Sequence, residues 1–284
     1  MDTNNAFTIT PMSRNIELKA GEKYDGTLTI ANPADAKQDF YYKVTVSPYA
    51  VAGDDYKADF ATSSSRSQIV NWIKIEEPTG VLKPNESIKL KYTIEVPETA
   101  PAGGQYAALM VSANDEINAE GGTTINNVIE MASIIYADID GETVRDGEMN
   151  EMTIPGFVTT VPIKVGARLT NNGNTHEVAT IDLEVKSLFS STPIYPAADE
   201  NSAIAEVIMP GTSRYVTRDI SNISPLGIYE VTQSISYLGE NYQIKQTVIA
   251  CPIWFMALVA VTVGAIITLI IARVKKKRSG RKVF

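Results

Sequence analysis

Hydrophobic and polar residues alternate in short runs along the first 250 residues, and helical periodicity is almost absent there. The runs are rich in Val, Ile, Thr and Tyr and are separated by Gly, Pro, Asn and Asp, as is typical of strands joined by turns. The pattern predicts strands at Phe7–Thr10, Asn15–Leu18, Tyr24–Ala31, Phe40–Pro48, Ile69–Glu76, Ser87–Val96, Gly104–Ala113, Asn127–Asp138, Val161–Thr170, Thr180–Lys186, Ser213–Ile220, Gly227–Leu238 and Gln243–Ile249. Strands at this spacing indicate β-sandwiches rather than a parallel α/β sheet.

The same order of sequence signals occurs twice along this region. The first half contains LTIAN, LKPNESIKLKY and APAGGQYAALMVS, and the second contains ARLTNNGN, IMPGTSRYV and SPLGIYEVTQSIS. Each set gives a strand that ends in Asn, a proline turn that opens a strand, and a Pro-Gly corner followed by Tyr. Asn at a strand end bonds nearby backbone and tolerates left-handed dihedrals, and proline pre-sets φ for the turn. The hydroxyls of Tyr106 and Tyr229 are expected to bond back across their corners, as in immunoglobulin-like sandwiches.

We therefore predict an all-β protein with two tandem immunoglobulin-like β-sandwich domains at residues 1–145 and 146–250. The boundary falls within Gly141–Gly156, which is polar, contains glycine and ends in Pro-Gly.

A transmembrane helix is predicted at residues 252–272. Its apolar part, Ile253–Ala272, has 20 residues without a charge, enough to cross a hydrocarbon core of about 30 Å. Trp254 and Phe255 lie at one end, where aromatic rings favour the membrane interface. The tail at residues 273–284 carries seven basic and no acidic residues, so we expect a cytoplasmic C-terminus, an extracytoplasmic N-terminal ectodomain and a single pass through the cell membrane.

The charge and the cysteine content of the chain narrow the range of possible functions. The chain has a net charge of −8, and the residues before the basic tail hold 18 of the 25 basic and all 33 acidic residues. Such an acidic ectodomain is not expected to bind nucleic acid. The single cysteine, Cys251, excludes a disulfide within the chain and fits a bacterial surface. It is expected to be an idle thiol at the interface, with palmitoylation as the alternative.

The N-terminus MDTNNAFTIT has neither a basic n-region nor an apolar h-region, so it is not a signal peptide. Because the predicted ectodomain requires export, we expect that a signal peptide was removed. A mis-assigned start codon is the alternative.

Candidate catalytic chemistry is sparse. His176, the only histidine, is predicted to be a surface turn residue, and no G-x-S-x-G elbow accompanies it. A zinc site needs more His or Cys than the chain offers. We therefore assign no catalytic, cofactor-binding or metal residues and expect that the protein is not an enzyme. Carboxylate pairs could still serve a glycosidase.

Two further features leave alternatives open. The acidic turns Asp54-Asp55 and Asp138–Glu142 could bind Ca²⁺, although DIDGE is also a good hairpin turn. Tyr41 and Tyr42 are adjacent in one predicted strand, and Tyr49 and Tyr56 flank a turn. An exposed tyrosine patch here could bind a glycan or a protein, whereas most tyrosines in sandwiches simply cover the core.

The layout resembles the WxL-interacting surface proteins of Gram-positive bacteria. The matching stretches are NWIKIEEPTGVLKPNES with VPETAPAGGQYAALMVS, and LTNNGNTHEVATIDLEV with VIMPGTSRYV and SPLGIYEV. This resemblance implies a peptidoglycan-binding N-terminal domain and a second sandwich that binds a host or partner protein. The opening residues 7–50 are similar to pilus-chaperone-like domains. Neither resemblance identifies ligand-contacting residues, so the binding residues stay unassigned.

The sequence therefore favours a membrane-anchored surface protein that binds cell-wall peptidoglycan or another surface or host protein through exposed strand edges and loops. A membrane-tethered assembly chaperone for surface proteins or pili is the alternative.

Overall fold

The computed structural model describes residues 7–53, 55–113, 129–189, 193–195 and 204–279. Its strands are β1 (Thr8–Thr10), β2 (Ser13–Leu18), β3 (Lys23–Ala31), β4 (Phe40–Pro48), β5 (Ala50–Ala52), β6 (Lys57–Asp59), β7 (Ile73–Ile75), β8 (Thr79–Leu82), β9 (Ser87–Glu95), β10 (Gly103–Ala113), β11 (Met131–Ile139), β12 (Gly147–Thr153), β13 (Phe157–Val158), β14 (Ile163–Asn171), β15 (Glu177–Ser187), β16 (Pro193–Tyr195), β17 (Ile204–Ile208), β18 (Thr212–Ile220), β19 (Gly227–Tyr237) and β20 (Glu240–Ala250). A 3-10 helix at Gln68–Asn71 and the C-terminal helix α1 (Ile253–Ser279) complete the described elements. The predicted all-β, immunoglobulin-like class with one C-terminal helix is confirmed.

Contacts divide the chain into two compact units. The first unit comprises Met1–Glu148, Leu169–Glu177 and Val207–Tyr215, and the second comprises Met149–Arg168, Val178–Glu206 and Val216–Phe284. This division does not test the domain boundary predicted between residues 145 and 146, which stays a prediction.

The first unit is a sandwich of a four-stranded and a five-stranded sheet. The sheet orders are β1-β3-β9-β7 and β2-β11-β10-β4-β8, and β5 and β6 form a separate two-stranded ribbon. β2 runs parallel to β11, whereas the other pairs of the five-stranded sheet are antiparallel. Alternation along each strand sends every second side chain inward. The buried core includes Leu28, Ile30, Leu90 and Ile94 from one sheet and Val44, Leu109, Val111 and Ile135 from the other.

The second unit has the same two-layer design. One sheet has the order β12-β14-β18, and the other has the order β13-β20-β19-β15-β16, with β17 also paired to β15. The last residues of β14 and β17 and the first residues of β18 belong to the first unit. Its core joins Ile163, Val165 and Ile220 of the first sheet to Val185, Tyr229, Val231 and Val248 of the second.

The strand-ending asparagines of the sequence repeat have equivalent structural roles. Asn32 and Asn171 are both buried. The amide of Asn32 donates to the carbonyl of Leu82 at 3.0 Å, and the amide of Asn171 donates to the carbonyl of Ile208 at 2.9 Å. Each acceptor lies two residues before the turn proline of its half. The asparagine therefore ties the end of one strand to the turn that opens the next.

The proline turns of the two halves also match in backbone conformation. Asn85 and Gly211, which directly follow the prolines, have φ values of 68° and 72°. The N–H of Asn85 donates to the carbonyl of Asn32 at 3.0 Å, and that of Gly211 donates to Asn171 at 2.8 Å. Asn and Gly are the residues that adopt this left-handed conformation most readily. The repeat of sequence signals thus corresponds to a repeated three-part arrangement of strand end, turn and strand.

The predicted tyrosine corner is confirmed in only one of the two halves. The hydroxyl of Tyr229 donates to the carbonyl of Ser224 at 2.7 Å. The hydroxyl of Tyr106 is buried above Gly104, where a Cβ would overlap it, and among the described residues it makes no hydrogen bond back across its own corner. The two tyrosines share a sequence position but not a hydrogen bond.

Substituting each tyrosine by phenylalanine distinguishes the two corners by the effect on the free energy of unfolding. Tyr229→Phe is expected to lower the free energy of unfolding by about 1 to 2 kcal/mol, because the Ser224 carbonyl loses its donor. Tyr106→Phe is expected to cost less than Tyr229→Phe, because the Tyr106 hydroxyl makes no hydrogen bond across its corner. Urea unfolding of the full chain in detergent, followed by circular dichroism, compares the two variants. An equal cost at both positions would contradict the assignment.

One predicted strand is wrong over its first half. Of Ile69–Glu76, only Ile73–Ile75 forms a strand, and Gln68–Asn71 forms the 3-10 helix. The buried side chains of Ile69 and Trp72 are three residues apart, which suits one face of a helical turn. The short strands β5, β6, β8, β12, β13, β16 and β17 lack the clear alternation that predicts strands, and the sequence did not indicate them.

Helix α1 carries the predicted membrane segment. Ile253–Lys275 is long and apolar enough to cross a membrane, and it is the one such helix in the described ranges. Its side chains are largely exposed, with none of the apolar segment buried in the protein. The last strand, β20, ends at Ala250, so Cys251 and Pro252 alone connect the sheet to the helix.

Candidate functional site

A polar cleft of about 400 Å³ lies in the first unit, where β2 and β11 end side by side. Their parallel register places Leu18 beside Ile139 and Glu17 beside Asp138. Leu18 and Ile139 are buried, and the residues after each strand form the walls. This volume lies in the range of small-ligand sites in proteins.

The cleft is acidic. The charged side chains that line it are Glu17, Lys19, Glu22, Asp138, Asp140 and Arg145. Four carboxylates against two cations favour a ligand that carries positive charge. The carboxylate of Glu22 accepts the backbone N–H of Lys19 at 2.7 Å, which holds one wall in its turn.

Asn174 fixes the opposite wall of the cleft. Its side-chain oxygen accepts the N–H of Val144 at 2.8 Å, and its amide donates to the carbonyl of Glu142 at 2.8 Å. Its own carbonyl accepts the N–H of Gly104 at 2.8 Å. The Asn174 side chain therefore holds the backbone of Glu142 and Val144, in the segment that follows β11.

Asp138 and Arg145 connect the cleft to the buried side chains of His176 and Glu177. Its carboxylate accepts a hydrogen bond from the hydroxyl of Thr175 and lies 3.8 Å from Nδ1 of His176. The guanidinium of Arg145 approaches the carboxylate of Glu177 at 3.6 Å. Burial raises the pKa of Glu177, and Arg145 partly opposes that rise.

The prediction of a surface position for His176 is wrong. The side chain is about nine-tenths buried and packs against Tyr106 and Tyr136, with ring centroids at 5.8 and 5.0 Å. Burial lowers the pKa of His176, the neighbouring Asp138 raises it, and Arg145 lowers it further. The flanking turn sequence indicates exposure, whereas the partners that bury this ring come from distant strands.

In the His176→Gln variant, the free energy of unfolding of the first unit is expected to fall less steeply as the pH is lowered. The unfolded histidine takes up its proton near pH 6.5, and burial keeps the folded pKa below that value. The histidine contribution is therefore complete above pH 6.5 and is lost as the pH falls through the folded pKa. Urea midpoints from about pH 8 to about pH 5, followed by Trp72 fluorescence, measure this slope. The same dependence of the urea midpoint on pH in wild type and variant would contradict this expectation.

The tyrosines that flank the predicted turn form part of an internal cluster rather than an exposed patch. Tyr49 packs edge-on against Tyr136 with centroids 5.7 Å apart. The hydroxyl of Tyr56 bonds to Thr212 Oγ1 at 2.6 Å, and the guanidinium of Arg214 lies 4.6 Å from its ring centre. A groove of about 100 Å³ borders this cluster, which is large enough for one side chain rather than for a whole ligand.

The other tyrosine pair shows the expected alternation of a strand. Tyr42 is buried over Gly80, its registered partner on β8, while Tyr41 is half-buried. The pair therefore covers the core and its edge.

The acidic turns show no assembled metal site. In the part of the chain that the structure describes, no group of three or more His, Cys, Asp and Glu side chains is placed to hold an ion. Asp54 lies outside the described residues, and the carboxylate of Asp138 already accepts the Thr175 hydroxyl. Calcium binding at Asp138–Glu142 stays untested.

No family model matches the chain, and no curated protein matches it. The resemblance to WxL-interacting proteins therefore stays a prediction. Among solved structures, the class 5 fimbriae chaperone CfaA is 14% identical, with 86% of this chain and 99% of that chain covered and a TM-score of 0.40. A chain of the CsuC–CsuE chaperone–tip subunit complex from archaic pili of Acinetobacter baumannii is 14% identical, with coverage of 85% and 98% and a TM-score of 0.40. The E. coli chaperone DraB is 11% identical, with coverage of 85% and 97% and a TM-score of 0.38. The predicted similarity to pilus-chaperone folds is thus confirmed at low identity.

Proposed function

We propose that this protein is a membrane-anchored, non-enzymatic binding protein of a bacterial cell surface. Helix α1 holds it in the cell membrane, and the first unit engages cell-wall peptidoglycan or another surface or host protein. The basic residues after the apolar segment support a cytoplasmic C-terminus, with the residues before the helix outside. At about 1.5 Å per residue, the 23 residues of Ile253–Lys275 extend over about 35 Å, which exceeds the hydrocarbon core.

The polar cleft of the first unit carries this proposal. It is open, of ligand size and lined by charged side chains on a hydrophobic floor. Hydrogen bonds from the Asn174 side chain to backbone groups and a turn held by Glu22 fix its walls before any ligand arrives, and a site shaped in advance loses less entropy on binding. Its negative charge suits the amino groups of peptidoglycan stem peptides or the lysine side chains of a protein.

A double charge reversal tests the cleft. Glu17→Lys combined with Asp140→Lys is expected to weaken binding about tenfold or more, since two favourable charge contacts of about 0.7 kcal/mol each become repulsive. Asp35→Lys combined with Asp39→Lys, at exposed positions outside the cleft, makes the same change in net charge and should leave binding intact.

Two assays measure this binding with the full chain. Sedimentation with isolated peptidoglycan sacculi reports the polymer, and cross-linking in intact source cells followed by identification of the captured protein reports a partner. Binding in neither assay would refute the proposed function. An equal loss in the two double variants would show that net charge, and not the cleft, governs binding.

A membrane-tethered assembly chaperone is the second candidate, favoured by the free edge of β2. Backbone bonds from Ile134 to Met12 and from Asp140 to Leu18 show that even-numbered residues of β2 face β11. In a parallel ladder the odd-numbered residues then present their N–H and C=O groups outward. No strand pairs with that edge among the described residues, so it could accept a strand from a partner subunit.

Asn15→Pro tests the chaperone role. It removes one outward N–H of β2 and leaves the bonds to β11 in place. Loss of surface-fibre assembly in cells that carry this variant would support the role. Normal assembly after deletion of the whole protein would eliminate it.

A further inference from the structure

Over the residues that are in register on all three strands, the outward face of the sheet formed by β15, β19 and β20 is polar except at the end nearest α1; Val178 of β15 lies beyond this register at the other end. Val185, Val231 and Val248 point into the core, so the alternate positions of these strands point outward. Each strand supplies five registered outward positions, counted from Thr180, Ser236 and Asn241 toward the end nearest α1. The first four on every strand are Asn, Gln, Ser, Thr, Asp, Glu or Lys, and the fifth is always Leu or Ile.

These last positions form a continuous apolar row. Ile249 is in register with Ile228 on one side and with Phe157 of β13 on the other. The N–H of Leu188 donates to the carbonyl of Ile228 at 3.0 Å and extends the row. We call Phe157, Ile249, Ile228 and Leu188 the terminal row. At about 4.8 Å per strand it is about 14 Å wide, and Phe157, Ile249 and Leu188 are 51%, 45% and 56% exposed.

The terminal row lies at the end of the sheet from which α1 departs. Only Ala250, Cys251 and Pro252 separate Ile249 from the first helical residue, a contour of at most about 14 Å. The N–H of Cys251 also donates to the carbonyl of Val158 at 2.9 Å, which keeps this connection against the sheet. Phe189, 80% exposed, and Leu226, 41% exposed, extend the apolar surface at the same end.

We infer that the terminal row, with Phe189 and Leu226, is a lipid-seating surface inserted at the headgroup boundary of the leaflet from which α1 emerges. This inference rests on the proposed membrane anchoring. The headgroup region adds about 5 to 8 Å on each side of the hydrocarbon core, so a row tethered this closely reaches it. Apolar side chains gain by leaving water there, and the polar rows above stay hydrated. The covalent tether of the row to a membrane helix favours lipid over a second copy of the chain.

Depth-dependent quenching tests the lipid-seating surface in the full chain. Cys251→Ala gives a cysteine-free protein, because the chain has no other cysteine. Single cysteines in that background, Ile228→Cys and Ile249→Cys, carry a fluorophore on the terminal row. Gln243→Cys marks the same outward face three rows away, about 20 Å along the strand, and Gly264→Cys marks the centre of α1. Each labelled protein is placed in two sets of phosphatidylcholine vesicles, whose acyl chains are brominated either near the headgroup or near the chain end.

The expected result is a large loss of fluorescence at positions 228 and 249 with bromine near the headgroup, a large loss at 264 with bromine near the chain end, and none at 243 in either set. Unquenched labels at 228 and 249 with a quenched label at 264 would overturn the lipid-seating surface and leave the anchoring intact. Unquenched labels at 228 and 249 that are also shielded from iodide would show a protein cover, such as a second copy, and would equally overturn it. Quenching at 243 equal to that at 249 would overturn it as well. An unquenched label at 264 would overturn the anchoring itself, and the surface with it.

Discussion

Asn171→Ala is expected to lower the free energy of unfolding of the first unit by about 3 to 4 kcal/mol. The Asn171 amide donates to the carbonyls of Thr175 at 2.8 Å and Ile208 at 2.9 Å, and its oxygen accepts the N–H of Gly173 at 2.8 Å. All three bonds are buried, and alanine replaces none of them. The cost therefore exceeds that of three exposed hydrogen bonds, because two carbonyls and one N–H stay buried without partners.

Urea unfolding of the full chain in detergent, followed by Trp72 fluorescence in a Trp254→Phe background, measures this change. Trp72 is buried in the core of the first unit, and the chain has two tryptophans in all. Asn172→Ala is the matched control, because Asn172 is the next residue in the chain and its side chain is exposed. A cost below about 1 kcal/mol at Asn171, or an equal cost at Asn172, would show that the amide does not hold the turn.

Gly26→Ala is expected to lower the free energy of unfolding of the first unit by about 2 to 3 kcal/mol. Gly26 on β3 is in register with Tyr92 on β9. The Tyr92 ring covers the glycine so closely that an added Cβ would overlap three of its ring and hydroxyl atoms. Tyr92 is buried, and burial raises its pKa to about 12. The ring must therefore leave its place in the core to admit one methyl group.

Gly156→Ala, in the second unit, is a control for a glycine substitution at a place where the added methyl group has room. A Cβ there would meet its nearest neighbour, the Gln246 amide nitrogen, at 3.6 Å, which is an ordinary contact. We expect a change within about 0.5 kcal/mol, with a small gain from the stiffer unfolded chain. Gly26→Ala placed in a Tyr92→Leu background should cost less than it does in wild type. The same cost in both backgrounds would place the effect in the backbone and not in the ring.

The sandwich class follows from the sequence because its signals are local. Alternation along strands such as Phe40–Pro48 needs only neighbouring residues, and the predicted and observed bounds coincide there. The repeat of Asn, proline turn and tyrosine is also local in each piece. The left-handed residues Asn85 and Gly211 occupy equivalent places in the two turns, as the repeat implies.

The candidate site is less accessible to sequence reasoning because distant segments assemble it. The cleft joins the ends of β2 and β11, about 120 residues apart in the chain. The burial of His176 depends on its contacts with Tyr106 and Tyr136, and no rule of sequence spacing connects these residues. Tyr229 makes a hydrogen bond across its corner and Tyr106 does not. This difference depends on the path of the loop before each tyrosine. The two Pro-Gly corners share residue types, and residue types alone do not determine that path.

The two-residue link between β20 and α1 has a mechanical consequence. β20 lies inside its sheet, with β13 on one side and an eleven-residue ladder to β19 on the other. Tension on the tether enters this strand at its last residue and is shared by partners on both flanks. A force that acts along β20 would load the two-residue pairing with β13 and the eleven-residue ladder with β19 in shear at the same time.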